Sequence, residues 1–276
     1  MLQSGSMNTA TDPHPPAQGG ALLAMRAVVK RYRRDGRTVV AVDEVDLDVA
    51  AGETLAIVGE SGSGKSTLAR LMTGLDSPSA GSVSFKGQPL LLDSLARRRT
   101  FARQVQLVFQ SASYSLNPLK TVRAAIEAPL DIAGMAAAQR DTRIRELLDM
   151  VEMRPYDAFA MRYPRQLSGG QRQRVVIARA MAMKPELLVA DEPVSSLDVS
   201  VRNQILNLLL DLRDQHRFSM VLITHDLGVA RGMADRIAVM RKGRIVETGS
   251  AAQVLEHPQH PYTRALLDAV PRLPGP

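Results

Sequence analysis

The chain has 276 residues, 45% hydrophobic and 23% charged, a globular composition large enough for one big domain or two small ones. It contains no cysteine, which excludes disulfides and thiolate metal sites, and it has no run of about 18 apolar residues that would span a bilayer. Lys and Arg exceed Asp and Glu by seven (35 against 28), yet aromatic residues are only 4%, too sparse for a base-stacking surface. The excess therefore reads as a solvated face toward phospholipid or a protein partner, with no nucleic acid expected.

Met1 to Gly20 carries three prolines and three glycines with almost no charge or apolar periodicity. It reads as a disordered tail, without the charged and apolar regions of a secretory signal. Apolar segments around Met25 to Val29 and Val39 to Val49 flank the polar turn Arg33-Arg34-Asp35-Gly36-Arg37, which predicts antiparallel strands. Tyr32 closes the first of them, where its ring either stacks on a base or remains a half-exposed strand-end tyrosine.

Thr54 to Val58 is an apolar run followed by Gly59-Glu60-Ser61-Gly62-Ser63-Gly64-Lys65-Ser66 and then a helical pattern. This is strand, phosphate loop and helix. The glycines let successive N–H groups turn toward phosphate oxygens, and the helix adds the positive end of its dipole. Lys65 has the reach for the terminal phosphates, and the Ser66 hydroxyl can ligate Mg²⁺. Asp76 to Gly81 is a turn, and Ser82 to Phe85 a short strand ended by Lys86-Gly87. Arg97, Arg98 and Arg99 form a basic cluster, as do Arg31, Arg33 and Arg34.

Val105 to Phe109 is a further β-rich run that stops at Gln110, a strand end from which side chains reach ligands in α/β sheets; an ordinary exposed glutamine is the plain alternative. From Thr121 to Met153 the pattern turns helical, with Ile144, Leu147, Leu148 and Val151 on one face. Leu167-Ser168-Gly169-Gly170-Gln171 then opens a helix to about Met183, and its serine and glycines offer either a second phosphate contact or a helix cap.

Leu187 to Ala190 is an unbroken apolar run, as of a strand buried on both faces, ending in Asp191-Glu192-Pro193. Two carboxylates there suit a cation: Asp191 can hold Mg²⁺ and Glu192 can serve as general base toward water. Val201, Ile205, Leu208, Leu209 and Leu212 mark the next amphipathic helix, preceded by Ser195, Ser196 and Asp198. Met220 to Ile223 is again a buried strand, and beyond it His225 either meets a γ-phosphate or is structural. Ile237 to Met240 and Ile245 to Glu247 form a hairpin across Lys242-Gly243. The pattern as a whole is α/β, with an antiparallel β part and a helical insert at about 115–165.

In that order these pieces resemble the ATP-binding cassette ATPase of a membrane transporter, over about residues 22–272. Gly59 to Ser66 matches the Walker A loop and Gln110 the Q-loop. Leu167 to Gln171 matches the signature sequence, and Leu187 to Asp191 with Glu192 the Walker B strand and catalytic glutamate. Ser195 to Asp198 matches the D-loop, with Ser196 where alanine is more usual, and His225 matches the switch histidine. Tyr32 sits where such proteins keep an adenine-stacking aromatic, though its spacing to Lys65 is somewhat long. The resemblance implies a P-loop NTPase (RecA-like) core, with ATP and Mg²⁺ bound by these residues and by Thr67, Gln110 joining Ser66 and Asp191 at the metal.

Ser115-Leu116-Asn117-Pro118 and His257-Pro258-Gln259-His260-Pro261-Tyr262-Thr263-Arg264 resemble the oligopeptide, dipeptide and nickel importer subfamily, while Ser111-Ala112-Ser113 departs from its usual Asp-Pro. His257 and His260 each precede a proline in a turn, which argues against a metal pair. On this likeness, residues 21–250 form the ATPase domain and 251–276 a C-terminal extension. One phosphate loop and one signature cannot easily close on a single nucleotide, so two cassettes, identical or homologous, are expected to pair head to tail. They would work peripherally at the cytoplasmic face of the inner membrane, on permease subunits fed by a solute-binding protein. A soluble cassette ATPase of DNA repair or translation would need a second cassette or a long coiled-coil insertion, and Gln110 and Leu167 are too close for the latter.

Overall fold

The computed structural model describes residues 20–34, 36–110 and 115–269. Strand β1 (Leu23–Arg34) pairs antiparallel with β2 (Arg37–Val49) in a register from Leu23↔Val49 to Arg34↔Arg37. The expected five-residue turn is therefore shorter, and Tyr32 lies two residues inside the strand end. On the other side of β1 runs β4 (Ala80–Phe85), followed by the two-residue β5 (Gln88–Pro89), giving the sheet order β2-β1-β4-β5.

The second sheet supplies the core. Its order is β10-β9-β3-β8-β7-β6, built from β3 (Thr54–Val58), β6 (Val105–Val108), β7 (Leu187–Asp191), β8 (Ser219–Thr224), β9 (Arg236–Arg241) and β10 (Arg244–Ser250). All are parallel except β10, which returns from β9 as a hairpin. Every residue of β3, β7 and β8 is buried, as continuous apolar runs require of strands covered on both faces. The period of two then sorts the side chains between layers. Leu55 and Ile57 pack with Leu68 and Met72 of α1 (Lys65–Met72), while Ala56 and Val58 face a separate core that contains Tyr262.

The helical insert comprises α3 (Val122–Ile132), α4 (Ala137–Met150) and the short α5 (Tyr156–Phe159), which follow α2 (Leu95–Gln104). Ile144, Leu147, Leu148 and Val151 are all fully buried, in one core with Ile126 and Leu130 of α3 and with Val175 and Val176 of α6 (Gly169–Met181). Each such side chain contributes roughly 1.5–3 kcal/mol of burial free energy. Three helices alternate with the last strands: α7 (Val199–His216) after β7, α8 (Leu227–Met233) after β8, and α9 (Ala251–Glu256) after β10, with α10 (Pro261–Asp268) closing the described chain.

Helix α2 has no counterpart in the sequence reading. Of its ten residues only Phe101 is buried and four are arginines, so it presents no apolar stripe to detect. It places Arg97, Arg98 and Arg99 on an exposed helical face, opened by Ser94 accepting the Arg97 N–H. The expected tail, Ser111-Ala112-Ser113 and the last residues of the C-terminal extension lie outside the described residues.

Candidate functional site

Parallel pairing decides what meets what. Val58 of β3 is level with Thr224 of β8, Ile223 of β8 with Asp191 of β7, and Ala190 of β7 with Val108 of β6. The segments leaving these four strands therefore emerge at one sheet edge. They are the 59–64 loop, His225, Glu192 and Gln110, drawn from widely separated parts of the chain.

The loop is held where only glycine fits at two points. A Cβ on Gly59 would stand 2.1 Å from the Met240 carbonyl oxygen, and one on Gly64, whose φ is +109°, would stand 2.3 Å from that of Ala41. Lys65 begins α1 and is only 5% exposed. Its ammonium donates to the carbonyls of Gly59 at 2.7 Å and Glu60 at 2.8 Å. Burial lowers its pKa below the ordinary lysine value, against the raising pull of Glu192, Asp191 and Glu60. Ser63 Oγ is buried in the same loop with no hydrogen-bond partner.

Asp191, at the end of β7, is 6% exposed, and burial raises its carboxyl above the usual range even though the Ser66 hydroxyl bonds to it. Its Oδ1 has no partner. A hydroxyl beside an unsatisfied buried carboxylate oxygen is a hard-oxygen donor set, and it fits Mg²⁺. Among the described residues no group of three or more His, Asp or Glu forms a metal cluster, and His260 Nδ1 is already taken by the Tyr262 N–H.

Glu192 follows in the left-handed region at φ +45°, a conformation that costs a non-glycine residue about 1 kcal/mol or more. Its N–H donates to the Ile223 carbonyl at 2.9 Å, which locks the strand end. Gln110 Nε2 donates to Glu192 Oε2 at 2.9 Å, and His225 Nδ1 lies 3.3 Å from Oε1. Both carboxylate oxygens are thus addressed by the side chains that flank β7 in the sheet.

Tyr32 stands near α1 with its hydroxyl donating to Asp76 Oδ2 at 2.6 Å, and the Thr67 side chain bonds to the same hydroxyl. Lys30 Nζ donates to Asp76 Oδ1 at 2.5 Å. Asp76, which the sequence presents only as a turn residue one helix beyond the phosphate loop, is what fixes the Tyr32 hydroxyl and the Lys30 ammonium.

The Ser-Gly-Gly segment stands apart. Ser168 Oγ accepts the Gln171 N–H and Gln171 Oε1 accepts the Ser168 N–H, so both side chains cap α6. A Cβ on Gly170 would sit 2.5 Å from Val201 Cγ1, and one on Gly169 3.1 Å from Leu197 Cδ2. The glycines thus let α6 approach α7 and the loop before it. Asp198 is exposed at the start of α7, without a side-chain cap bond. Among the described residues no hydrogen bond joins 168–171 or Asp198 to the 59–67 segment.

Residues 42–195 match the ABC transporter family, and residues 246–276 match the C-terminal region of oligopeptide/dipeptide transporters. A Brucella abortus protein provisionally named a peptide import ATP-binding protein is 49% identical over 86% of this chain and 71% of its own. The dipeptide transport ATP-binding protein DppF of Escherichia coli is 43% identical over 97% of this chain and 80% of its own. Among solved structures, the dimeric post-hydrolysis state of the ATP-binding cassette MJ0796, bound to ADP and Pi, superposes with a TM-score of 0.75. It is 33% identical, covering 83% of this chain and 98% of that one.

Proposed function

The chain belongs to the ABC transporter family, and on that premise we propose that it is the ATP-hydrolysing subunit of an importer that drives peptides through separate membrane permease subunits. One observation carries the reading: Lys65, Ser66, Gln110, Asp191, Glu192 and His225 meet at the edge where parallel strands end, in a chain whose C-terminal residues match the oligopeptide/dipeptide transporter region.

The triphosphate of ATP lies along the 59–64 loop, whose amides and the start of α1 offer positive potential. Lys65 exchanges its two carbonyl partners for phosphate oxygens. Tyr32, fixed through Asp76 and Thr67, presents its ring to adenine. Ser66 and Asp191, with Gln110, would hold Mg²⁺, which would offset the charge of the phosphates. Glu192 takes a proton from the water that attacks the γ-phosphorus; the bond to the bridging oxygen breaks, ADP departs, and His225 holds the released phosphate by hydrogen bonding.

A second cassette completes each site with its own segment 168–171 and Asp198. That no hydrogen bond joins these residues to segment 59–67 among the described residues supports this, as does the dimeric state of the MJ0796 structure. ATP binding draws the halves together and hydrolysis releases them. Among the described residues no helix is long and apolar enough to cross a membrane. In this reading the permeases supply the channel, and the likeness to peptide import ATP-binding proteins supports a peripheral place for the subunit at the cytoplasmic face of the inner membrane. A solute-binding protein would deliver cargo to the permease and never touch this chain.

The test is uptake by proteoliposomes containing the subunit, its partner ATPase, the permeases and the solute-binding protein. ATP-dependent accumulation of labelled peptide, abolished by Glu192→Gln, is expected. Accumulation of nickel or a metal chelate in place of peptide would reassign the cargo, and uptake indifferent to that substitution would overturn the energising role.

A further inference from the structure

The residues of the segment His257-Pro258-Gln259-His260-Pro261-Tyr262-Thr263-Arg264 are anchored one by one. Glu247 of β10 accepts the N–H of Gln259 on Oε1 at 2.8 Å and that of His260 on Oε2 at 3.0 Å. His260 Nδ1 accepts the Tyr262 N–H at 3.1 Å and so caps α10. Arg264 closes the turn from the other side, donating to the carbonyls of Pro258 at 3.1 Å and Gln259 at 3.0 Å. The outcome of this fixing is the position of one aromatic ring. Tyr262 is 6% exposed, packed in the core that contains Ala56 and Val58 of β3, with the Arg241 guanidinium 4.7 Å over its ring.

The hydroxyl of that ring reaches the phosphate loop. It accepts the backbone N–H of Glu60 at 3.1 Å. The carbonyl of the same peptide unit, that of Gly59, accepts Lys65 Nζ at 2.7 Å. Tyr262 and Lys65 thus hold opposite sides of a single peptide plane. Where Lys65 gives up that carbonyl for a phosphate oxygen, a peptide released on one side is free to turn unless the other side is fixed.

We infer that Tyr262 is a positioning residue for the phosphate loop: its hydroxyl, delivered by the C-terminal segment, holds the Gly59–Glu60 peptide in place while Lys65 transfers to the phosphates of ATP. The inference rests on the reading of residues 59–66 as the phosphate-binding loop. It makes the C-terminal segment part of the nucleotide site rather than an appendage, and it places the brace on the phosphate end of ATP, away from Tyr32.

Tyr262→Phe removes the hydroxyl and keeps the packing. Calorimetric titration of the full-length variant with Mg²⁺-ATP, and separately with inorganic tripolyphosphate, should show both affinities lowered roughly three- to tenfold, the effect of losing the hydroxyl that accepts the Glu60 N–H. The KM for ATP should rise while kcat at saturation stays near the parent value. Hydrogen exchange at the Glu60 amide should quicken while that of β3 does not. A structural side chain alone would shift the thermal midpoint and leave the tripolyphosphate affinity untouched. Glu247→Ala, which frees the segment two residues earlier, should act in the same direction, and it decides the matter if Tyr262→Phe folds poorly. Unaltered affinity for both ligands in these variants, with Lys65→Ala having lost it, overturns the inference and spares the loop assignment. Unaltered affinity in Lys65→Ala overturns the loop assignment itself.

Discussion

Gln110 donates its side-chain amide to Glu192 at 2.9 Å, joining the first polar residue beyond β6 to the carboxylate beyond β7. With His225 3.3 Å from the other oxygen, this carboxylate is addressed from both flanks. That arrangement suits a base that must face one water.

Replacing Glu192 with Gln keeps size and hydrogen bonding but removes the proton acceptor. ATP hydrolysis should fall by about a hundredfold or more, while ATP binding persists and a nucleotide-bound pair of cassettes accumulates. Turnover assays and size-exclusion chromatography with ATP check this, and near-parental turnover would remove Glu192 from the role.

Lys65→Ala should abolish nucleotide retention, because it removes the cation that the loop carbonyls hold at its centre. Isothermal titration with ATP is the measurement; an unchanged dissociation constant contradicts the assignment.

Burial, the largest cause, raises the Asp191 carboxyl above the ordinary carboxylate pKa. The native state therefore binds this proton more tightly than the unfolded chain. The stability it contributes is complete below the unfolded pKa, about 3.9, and is lost as pH rises through the native value. Asp191→Asn cannot lose it. Nucleotide-free Asp191→Asn should gain stability relative to the parent as pH rises from about 4, while its hydrolysis collapses. Denaturant melts across that range are the check, and parallel curves for the two proteins would refute the claim.

Tyr32→Ala should weaken ATP binding by about fivefold to a hundredfold, in keeping with about 1–3 kcal/mol per stacked base, and leave inorganic tripolyphosphate binding unchanged. Asp76→Ala should follow it in the same direction and to a smaller extent, since the ring survives but its hydroxyl loses the acceptor 2.6 Å away. Equal losses for both ligands would place Tyr32 outside the adenine contact.

Gly170→Ala would bring a Cβ within 2.5 Å of Val201 Cγ1, a β-branched side chain with little freedom to yield. Stability should drop by about 1–3 kcal/mol, the usual cost of overpacking, read as a lower thermal midpoint of the nucleotide-free protein. An unaltered midpoint would mean that α6 and α7 can separate freely.

Much of this site was legible because its chemistry is local in sequence: the glycine-lysine-serine loop follows an apolar run, and Asp191-Glu192 ends another. The buried strands were equally plain, since continuous Leu, Val and Ile admit few other readings. The contacts of Asp76 and Tyr262 were not legible, because those to Tyr32 and Glu60 span 44 and 202 positions, and no periodicity reports such pairing. Helix α2 escaped for a different reason: it buries one side chain and so has no pattern. The glycines of 168–170 were legible as special but not for their reason, which is the nearness of Leu197 and Val201 across the fold.

In the sheet, β8 separates β3 from β7, so the phosphate-loop strand has no link to the carboxylate strand until residues 219–224 insert between them. The phosphate loop and both carboxylates are thus translated before the strand that joins them. The flanks of two apolar strands stay open meanwhile, a template for mispairing with other nascent chains. Only with that strand in place do the phosphate loop and the two carboxylates stand side by side.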